Sequence, residues 1–244
     1  MKRPAYYAPV GSPAGDLIAL LHPPYTAWHL SHVAIGAALA PRIDWQVLSA
    51  TLLAFFLGTG VAAHALDEKN GRPLRTSLGD RTLMLLGIGG LAGALIVAAV
   101  GAFVLSPWVL AWAVVGVFLA AGYALERPAP LHTTLGFALA WGGFPVLVGY
   151  WAQALTVSIG AVFVAAAATL ISMVQRTLST PARHVRRNAT RAELILSRDS
   201  SGGQSEERWD EATILATWER PLRLLAWSMV ALATGLLLAK AFNP

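Results

Sequence analysis

The stretch HALDEKNGRPLRT places acids, bases and a histidine between two long apolar runs. On a helix, His64 lies on the same face as Asp67 and Glu68, three and four residues further on. Two carboxylates can hold Mg²⁺, which prefers oxygen ligands and often bridges to a substrate phosphate. Arg72 and Arg75 follow, and arginine binds phosphate through paired hydrogen bonds. The spacing predicts a metal and phosphate site; a solvated helix end is the alternative.

Two further apolar runs end in polar residues on the same side of the predicted membrane. The fourth run is followed by Glu126 and His132, and the sixth by Gln175, Arg176 and Arg183. Three helix ends can therefore converge on one anionic head group, with a lipid chain lying among the glycine-rich helices beneath. The alternative is that these bases reflect membrane topology and bind anionic lipid heads.

The fifth apolar run contains FALAWGGFPVLVGYWAQ, in which Pro145 interrupts the backbone hydrogen bonds. Trp141, Phe144 and Tyr150 flank this proline. The pattern predicts an apolar cavity lined by aromatic rings. A kinked helix with an aromatic belt at the membrane surface is the alternative.

His29 and His32 share a helix face and raise the hypothesis of a haem or transition-metal site. A second well-spaced pair of metal ligands is missing from the sequence, so hydrogen-bonded histidines are the favoured interpretation. An ion path is also disfavoured, because the second, third, fourth and sixth runs carry almost no polar groups near their centres.

The composition places the chain in a membrane. Of its 244 residues, 56% are hydrophobic and only 13% are charged, against about a quarter in soluble domains. A bilayer core needs roughly 20 apolar residues per helix. The apolar runs are 25–41, 44–66, 82–105, 107–125, 131–151, 154–175 and 221–242. The predicted fold is therefore an all-α, polytopic helical membrane protein with about seven transmembrane helices.

The basic residues predict the orientation. With seven crossings, all but two of the 18 lysines and arginines lie on the side of the N-terminus, the exceptions being Arg42 and Lys240. The positive-inside rule makes that side cytoplasmic. We therefore expect an integral protein of a prokaryotic plasma membrane with a cytoplasmic N-terminus. Because the bases report topology, nucleic acid is not an expected partner.

Polar and apolar segments divide the chain. The predicted segments are a cytoplasmic N-terminal segment (1–24), a six-helix membrane bundle (25–175), a cytoplasmic basic loop with an amphipathic helix (176–220) and a final transmembrane helix (221–244). The amphipathic helix is expected over 206–219, with Trp209, Ile214 and Trp218 on its apolar side.

These features resemble the UbiA superfamily of intramembrane prenyltransferases over about residues 20–180. Asp67 matches an aspartate of the family's first acidic motif, and Arg72-Pro73-Leu74 matches the segment after it. The stretch HPPYTAWHLSHVAIGAALAP is similar to the family's first helix. His64 stands at the family's asparagine position, and the second acidic motif is absent after the sixth run, where Gln175 and Arg176 stand.

The resemblance implies a UbiA-like bundle that transfers a prenyl group from a polyprenyl diphosphate to a lipophilic acceptor. Mg²⁺ would be held by Asp67 and Glu68, and His64 or His132 would accept the acceptor's proton. Substrate would be bound by Arg72, Arg75, Glu126, Gln175, Arg176, Arg183, Trp141, Phe144 and Tyr150. The alternative is a non-catalytic UbiA-like subunit of a larger membrane complex that binds an isoprenoid, quinone or pigment.

Overall fold

Helices dominate the structure, a computed structural model that describes residues 4–7, 12–200 and 203–242. They are α1 (Pro13–Leu20), α2 (Pro23–Ala38), α3 (Trp45–Phe55), α4 (His64–Gly71), α5 (Asp80–Val104), α6 (Trp108–Ala124), a 3₁₀ turn (Ala129–His132), α7 (Thr134–Ala138), α8 (Phe144–Ala154), α9 (Ile159–Asn188) and α10 (Glu211–Phe242). One antiparallel hairpin, β1 (Leu194–Ser200) and β2 (Gly203–Trp209), separates α9 from α10. The predicted all-α class is therefore confirmed for the described chain, with this hairpin as its exception.

Two long helices each consist of α-helical halves joined by a π-helical segment. Phe56–Ala63 joins α3 to α4, and Leu139–Gly143 joins α7 to α8. A π turn bonds residue i to i+5, so each turn holds more residues than an α turn and shifts the faces of the helix. Small residues let these wider segments pack closely: a Cβ added at Gly142 would lie 2.6 Å from the Ala168 carbonyl oxygen of α9.

Five helices are long and apolar enough to cross a membrane: Trp45–Gly71, Asp80–Val104, Thr134–Ala154, Ile159–Asn188 and Glu211–Phe242. They indicate an integral membrane protein. The remaining apolar helices, α2 and α6, are shorter, with 16 and 17 residues. The count of seven transmembrane helices therefore stays a prediction.

The long helices alternate in direction and give the bundle two unlike ends. At one end of the bundle α2, α5, α7 and α10 begin and α4, α6 and α9 end. We call it the polar end. At the opposite end, the Asp44 backbone N–H donates to Gln153 Oε1 at 2.7 Å, and Lys240 Nζ donates to the Pro41 carbonyl at 3.3 Å. These bonds connect the end of α8 and the end of α10 to the turn between α2 and α3.

Helix α2 is central because it packs against both α8 and α10. Trp28 and Ile35 are buried in a cluster with Ala226, Met229 and Ala233 of α10. Against α8 the backbones themselves come close together, with glycine on each side of the contact. In a membrane, such small residues let helices gain van der Waals contact without a hydrophobic driving force.

The predicted loop over 176–220 differs in the structure. α9 continues past Pro181 to Asn188, so it crosses the predicted boundary at residue 175. Leu194–Ser200 and Gly203–Trp209 form the hairpin, paired from Leu194↔Trp209 to Ser200↔Gly203. The helix predicted over 206–219 begins only at Glu211 and continues unbroken into the last apolar run. Backbone pairing between strands overrides the local helical pattern before Glu211.

Candidate functional site: a polar cavity beside an apolar groove

A cavity of about 650 Å³ lies at the polar end of the bundle. Its wall is formed by residues 4–7, the start of α2, the two π-helical segments, α4, the end of α6, the start of α7, the second half of α9 and the first half of α10. The predicted site residues that line it are His64, Asp67, Glu126, His132, Trp141, Gln175, Arg176 and Arg183. We call it the polar cavity.

Glu68 is placed elsewhere, although it neighbours Asp67 in the sequence. Its carboxylate is fully buried and accepts hydrogen bonds from the Leu74 N–H at 2.8 Å, the Thr76 N–H at 2.8 Å and the Thr76 hydroxyl at 2.9 Å. The chain after α4 folds back over this carboxylate. Because its oxygens serve the loop, the prediction that Glu68 shares a metal with Asp67 is not supported by the geometry.

Arg72 and Arg75 also lie outside the polar cavity. Arg72 ends α4 in the left-handed conformation, at φ 51°, donates to the Leu78 carbonyl at 2.5 Å and forms an ion pair with Asp80. Arg75 donates to the Arg187 carbonyl at 3.1 Å. Both predicted phosphate-binding arginines instead hold the loop between α4 and α5 in place.

Three arginines of α9 take the place of this pair in the polar cavity. Arg176 donates to the Tyr123 hydroxyl at 2.9 Å and to the His132 carbonyl at 2.5 Å. Arg183 and Arg187 follow one turn apart and interact electrostatically with Asp67. Within the described residues neither of them forms an ion pair with a carboxylate. Both belong to the basic stretch that follows the sixth apolar run of the sequence, and both line the cavity.

Arg186 also lines the polar cavity, but its charge is already matched. It forms a bidentate ion pair with Glu219 of α10, whose side chain is only 6% exposed, and the second contact of the pair measures 2.8 Å. A half-buried bidentate pair of this kind is directional. It fixes α9 against α10 and leaves Arg176, Arg183 and Arg187 as the groups able to hold an anion.

Glu126 and His132 approach the cavity from the end of α6 and the following turn. His132 Nε2 lies 2.6 Å from the Tyr123 carbonyl, and its ring stacks on Tyr123 at 4.4 Å between centroids. Nε2 therefore carries the proton, which leaves Nδ1 as an acceptor. Glu126 adopts a left-handed φ of 57° where the chain leaves α6. Both predicted residues thus share the cavity with Asp67.

A histidine that sequence reasoning missed stands at the entrance of α2. His22 caps α2 at φ 45° and stacks on His64 with 4.2 Å between ring centroids. Its Nδ1 lies 2.7 Å from the Tyr7 hydroxyl. Prolines at 23 and 24 were the signal that could have revealed it, because proline in the first helical turn fixes the start of α2 directly after His22.

The pH dependence of stability is expected to report on His22. Burial lowers the pKa of His22 well below its usual range, and the neighbouring His64 acts in the same direction. The unfolded chain therefore binds a proton below about pH 6.5 that the folded chain does not, which lowers stability by up to about 1.4 kcal/mol per pH unit. Unfolding in detergent at pH 7.5, 6.5 and 5.5 measures this slope.

The variant His22→Asn should reduce the slope by the contribution of one histidine, because asparagine tolerates left-handed backbone and does not titrate. His184→Asn is the control, since His184 is exposed near the end of α9. An unchanged slope in His22→Asn would contradict the assignment.

An apolar groove of about 480 Å³ adjoins the polar cavity within the bundle. It runs between α3, α5, α6 and α8, and Thr59 and Trp141 belong to the walls of both. Several of its side chains, including Ile96 and Val100, are exposed, so the groove opens on the outside of the bundle. Polar and apolar compartments therefore meet at one boundary.

The predicted aromatic cluster is divided among three places. Trp141 stands at the boundary, and Phe144 lines the apolar groove, where its ring lies 5.9 Å from that of Trp112. Tyr150 lies outside both spaces and packs with Ala40 and Ala161 near the opposite end. Tyr150 is therefore corrected to a packing residue.

Of the two predicted metal ligands on α4, Asp67 lines the polar cavity and Glu68 does not. Among the described residues, three histidine, aspartate or glutamate side chains do not come together as a metal-binding group. Asp67 and Glu126 are the carboxylates that line the cavity without an ion-pair partner in the described chain. Mg²⁺ is commonly held by one or two carboxylates and substrate phosphates, so Asp67 fits a metal that arrives with its phosphate.

No protein-family model, curated protein or solved structure matches this chain.

Proposed function

We propose that the protein binds a polyprenyl diphosphate and transfers its prenyl group to a lipophilic acceptor. The observation that carries the proposal is the boundary at Thr59 and Trp141, where the polar cavity meets the apolar groove. An amphipathic anion placed across it has its head group among the arginines of α9 and its chain in the groove. The allylic carbon then lies beside the indole of Trp141.

The proposed reaction gives roles to the arginines of α9, to Asp67 and to a histidine of the cavity. The carbon–oxygen bond to diphosphate breaks, and the acceptor forms a bond to the same carbon. Arg176, Arg183 and Arg187 hold the departing diphosphate through charge-assisted hydrogen bonds. Mg²⁺ bound by Asp67 would neutralise part of its charge. The proton released by the acceptor passes to His64 or His132, the two predicted bases that line the cavity.

Binding without transfer is the second candidate, and one observation favours it. Glu68, the expected second ligand of the metal, is committed to the loop after α4. A protein with this cavity could hold an isoprenoid, a quinone or a pigment as a subunit of a membrane complex. The two candidates share the same binding site and differ only in turnover.

We also infer that the polar end faces the cytoplasm. The seven-crossing prediction assigns all but two of the 18 lysines and arginines to the cytoplasmic side, and those of the described chain that follow α4, α6 and α9 lie at this end. The positive-inside rule then places the cavity where water-soluble phosphates and Mg²⁺ are available. Accessibility of cysteines introduced at Ser77 and Gln46 to a membrane-impermeant reagent tests the orientation, with Ser77 expected on the cytoplasmic side.

Geranylgeranyl diphosphate is expected to raise the thermal stability of the detergent-purified protein, more so with Mg²⁺. The double variant Arg183→Gln/Arg187→Gln should bind about 100-fold more weakly, because two charge-assisted hydrogen-bonding groups are lost. Asp67→Asn should remove the Mg²⁺-dependent part of the shift and leave the rest. Melting curves over a range of ligand concentrations give each affinity.

Arg81→Gln is the matched control, because Arg81 is an exposed arginine at the polar end on α5. If it weakens binding as strongly as the double variant, general surface charge explains the result and the site is wrong. Release of inorganic diphosphate in the presence of a membrane lipid extract separates the two candidates. Release that Asp67→Asn abolishes supports transfer; binding without release supports the second candidate.

A further inference from the structure

Two polar atoms in the wall of the polar cavity are buried without a hydrogen-bond partner in the described chain. They are His22 Nε2 and Gln175 Oε1. Both side chains line the cavity, and they are only 8% and 3% exposed. A buried polar atom without a partner destabilises the folded protein, so a ligand group that bonds to it recovers that free energy.

The identity of the two atoms limits the ligand group that can satisfy them. Gln175 Oε1 is a carbonyl oxygen and only accepts, so its partner must donate. His22 Nε2 donates or accepts, according to the proton that Nδ1 shares with Tyr7 at 2.7 Å. A hydroxyl group both donates and accepts and therefore suits either tautomer. Ionised phosphate, carboxylate and quinone carbonyl groups only accept and leave Gln175 Oε1 without a partner.

These two side chains lie beside the anion-binding arginines and differ from them in charge. His22 caps α2 and contacts α4 through His64, and Gln175 lies two turns before Arg183 on α9. Neither can neutralise an anion, whereas Arg183 and Arg187 on the same wall can. The polar cavity therefore offers uncharged hydrogen-bonding groups beside its anion-binding arginines.

We propose that His22 and Gln175 bind the hydroxyl group of an uncharged lipophilic alcohol. The inference rests on the proposed function in one respect, because the alcohol would be the second, acceptor ligand of the same cavity. It selects an alcohol over a quinone or a carboxylate as that ligand. In the absence of the diphosphate, the groove beyond Thr59 is open to its apolar part.

Farnesol and farnesyl methyl ether form a matched pair of probes, because only the hydroxyl donor distinguishes them. Calorimetric titration of the full-length protein in detergent should show about tenfold tighter binding of farnesol. Gln175→Leu and His22→Asn should each reduce that ratio toward one. The ratio between probes, compared between variants, cancels their partitioning into the micelle.

Ser172→Ala is the control. Ser172 Oγ is likewise buried without a partner among the described residues and lies on α9, but it does not line the polar cavity. Ser172→Ala should keep the wild-type preference for farnesol over farnesyl methyl ether. Equal affinity of wild type for both probes, or an unchanged preference in both test variants, overturns the inference. If Gln175→Leu fails to fold, His22→Asn decides.

Stabilisation by geranylgeranyl diphosphate, measured in the same proteins, separates this inference from the proposed function. The diphosphate shift depends on the arginines and should persist in Gln175→Leu. A diphosphate shift without the farnesol preference overturns only the alcohol site. A farnesol preference without a diphosphate shift supports the alcohol site and overturns the proposed prenyl transfer.

Discussion

Replacing Gly36 or Gly149 by alanine is expected to lower the free energy of unfolding by about 3 kcal/mol. The two glycines face each other's helices where α2 crosses α8. A Cβ at Gly36 would lie 2.1 Å from the Val146 carbonyl oxygen, and one at Gly149 would lie 2.1 Å from that of Val33. The neighbouring atoms are backbone, so neither helix can relieve the clash by moving a side chain. Reversible unfolding in mixed detergent micelles measures the loss.

Gly89→Ala and Gly235→Ala are the matched controls. Both glycines lie in membrane helices, and an added Cβ at either position meets nothing within 4 Å. These variants should change stability by no more than about 0.5 kcal/mol, because alanine is the better helix former and nothing is displaced. Equal losses in all four variants would mean that glycine acts through helix flexibility and that the α2–α8 contact is not the cause.

Replacing Glu68 by alanine is expected to cost about 4 kcal/mol. The change leaves the Leu74 and Thr76 backbone N–H groups buried without an acceptor, in addition to the Thr76 hydroxyl. The loop that follows α4 then has no carboxylate around which to fold. Thermal and denaturant unfolding of the detergent-solubilised protein should agree on the loss.

Asp67→Ala provides the comparison, because the two acids are neighbours in the sequence and differ in surroundings. Asp67 faces the cavity and accepts no hydrogen bond from the loop, so its loss should change stability by less than about 1 kcal/mol. A catalytic role for Glu68 would instead predict a stable Glu68→Ala protein without activity. That outcome would overturn the structural assignment.

Hydropathy predicted the apolar helices, five of which are long enough to cross a membrane, because lipid leaves long apolar runs few alternatives to a helix. It did not predict where the helices end outside the membrane. The predicted boundaries at residues 175 and 221 both fall inside long helices. The hairpin depends on pairing between Leu194–Ser200 and Gly203–Trp209, which is a non-local property that a local pattern of apolar residues does not contain.

The site was predicted in part, for a related reason. Helical spacing placed His64 and Asp67 on one face, and both line the polar cavity. The same spacing also predicted Glu68 as a site residue. Helical spacing alone does not distinguish a side chain that contacts a loop from one that faces a cavity. His22 was missed because its placement depends on how the N-terminal segment and α4 pack together, as its contact with Tyr7 illustrates.

The π-helical segments Phe56–Ala63 and Leu139–Gly143 supply Thr59 and Trp141, the residues between head group and chain. One residue turns an α-helix by about 100°, so the extra residue in a wider turn sets the rotation of one helical half relative to the other. In these two helices, the number of residues therefore sets which side chains face the cavity as well as the length of the helix. A segment one residue shorter would still cross the bilayer, but it would turn a different row of side chains toward the cavity.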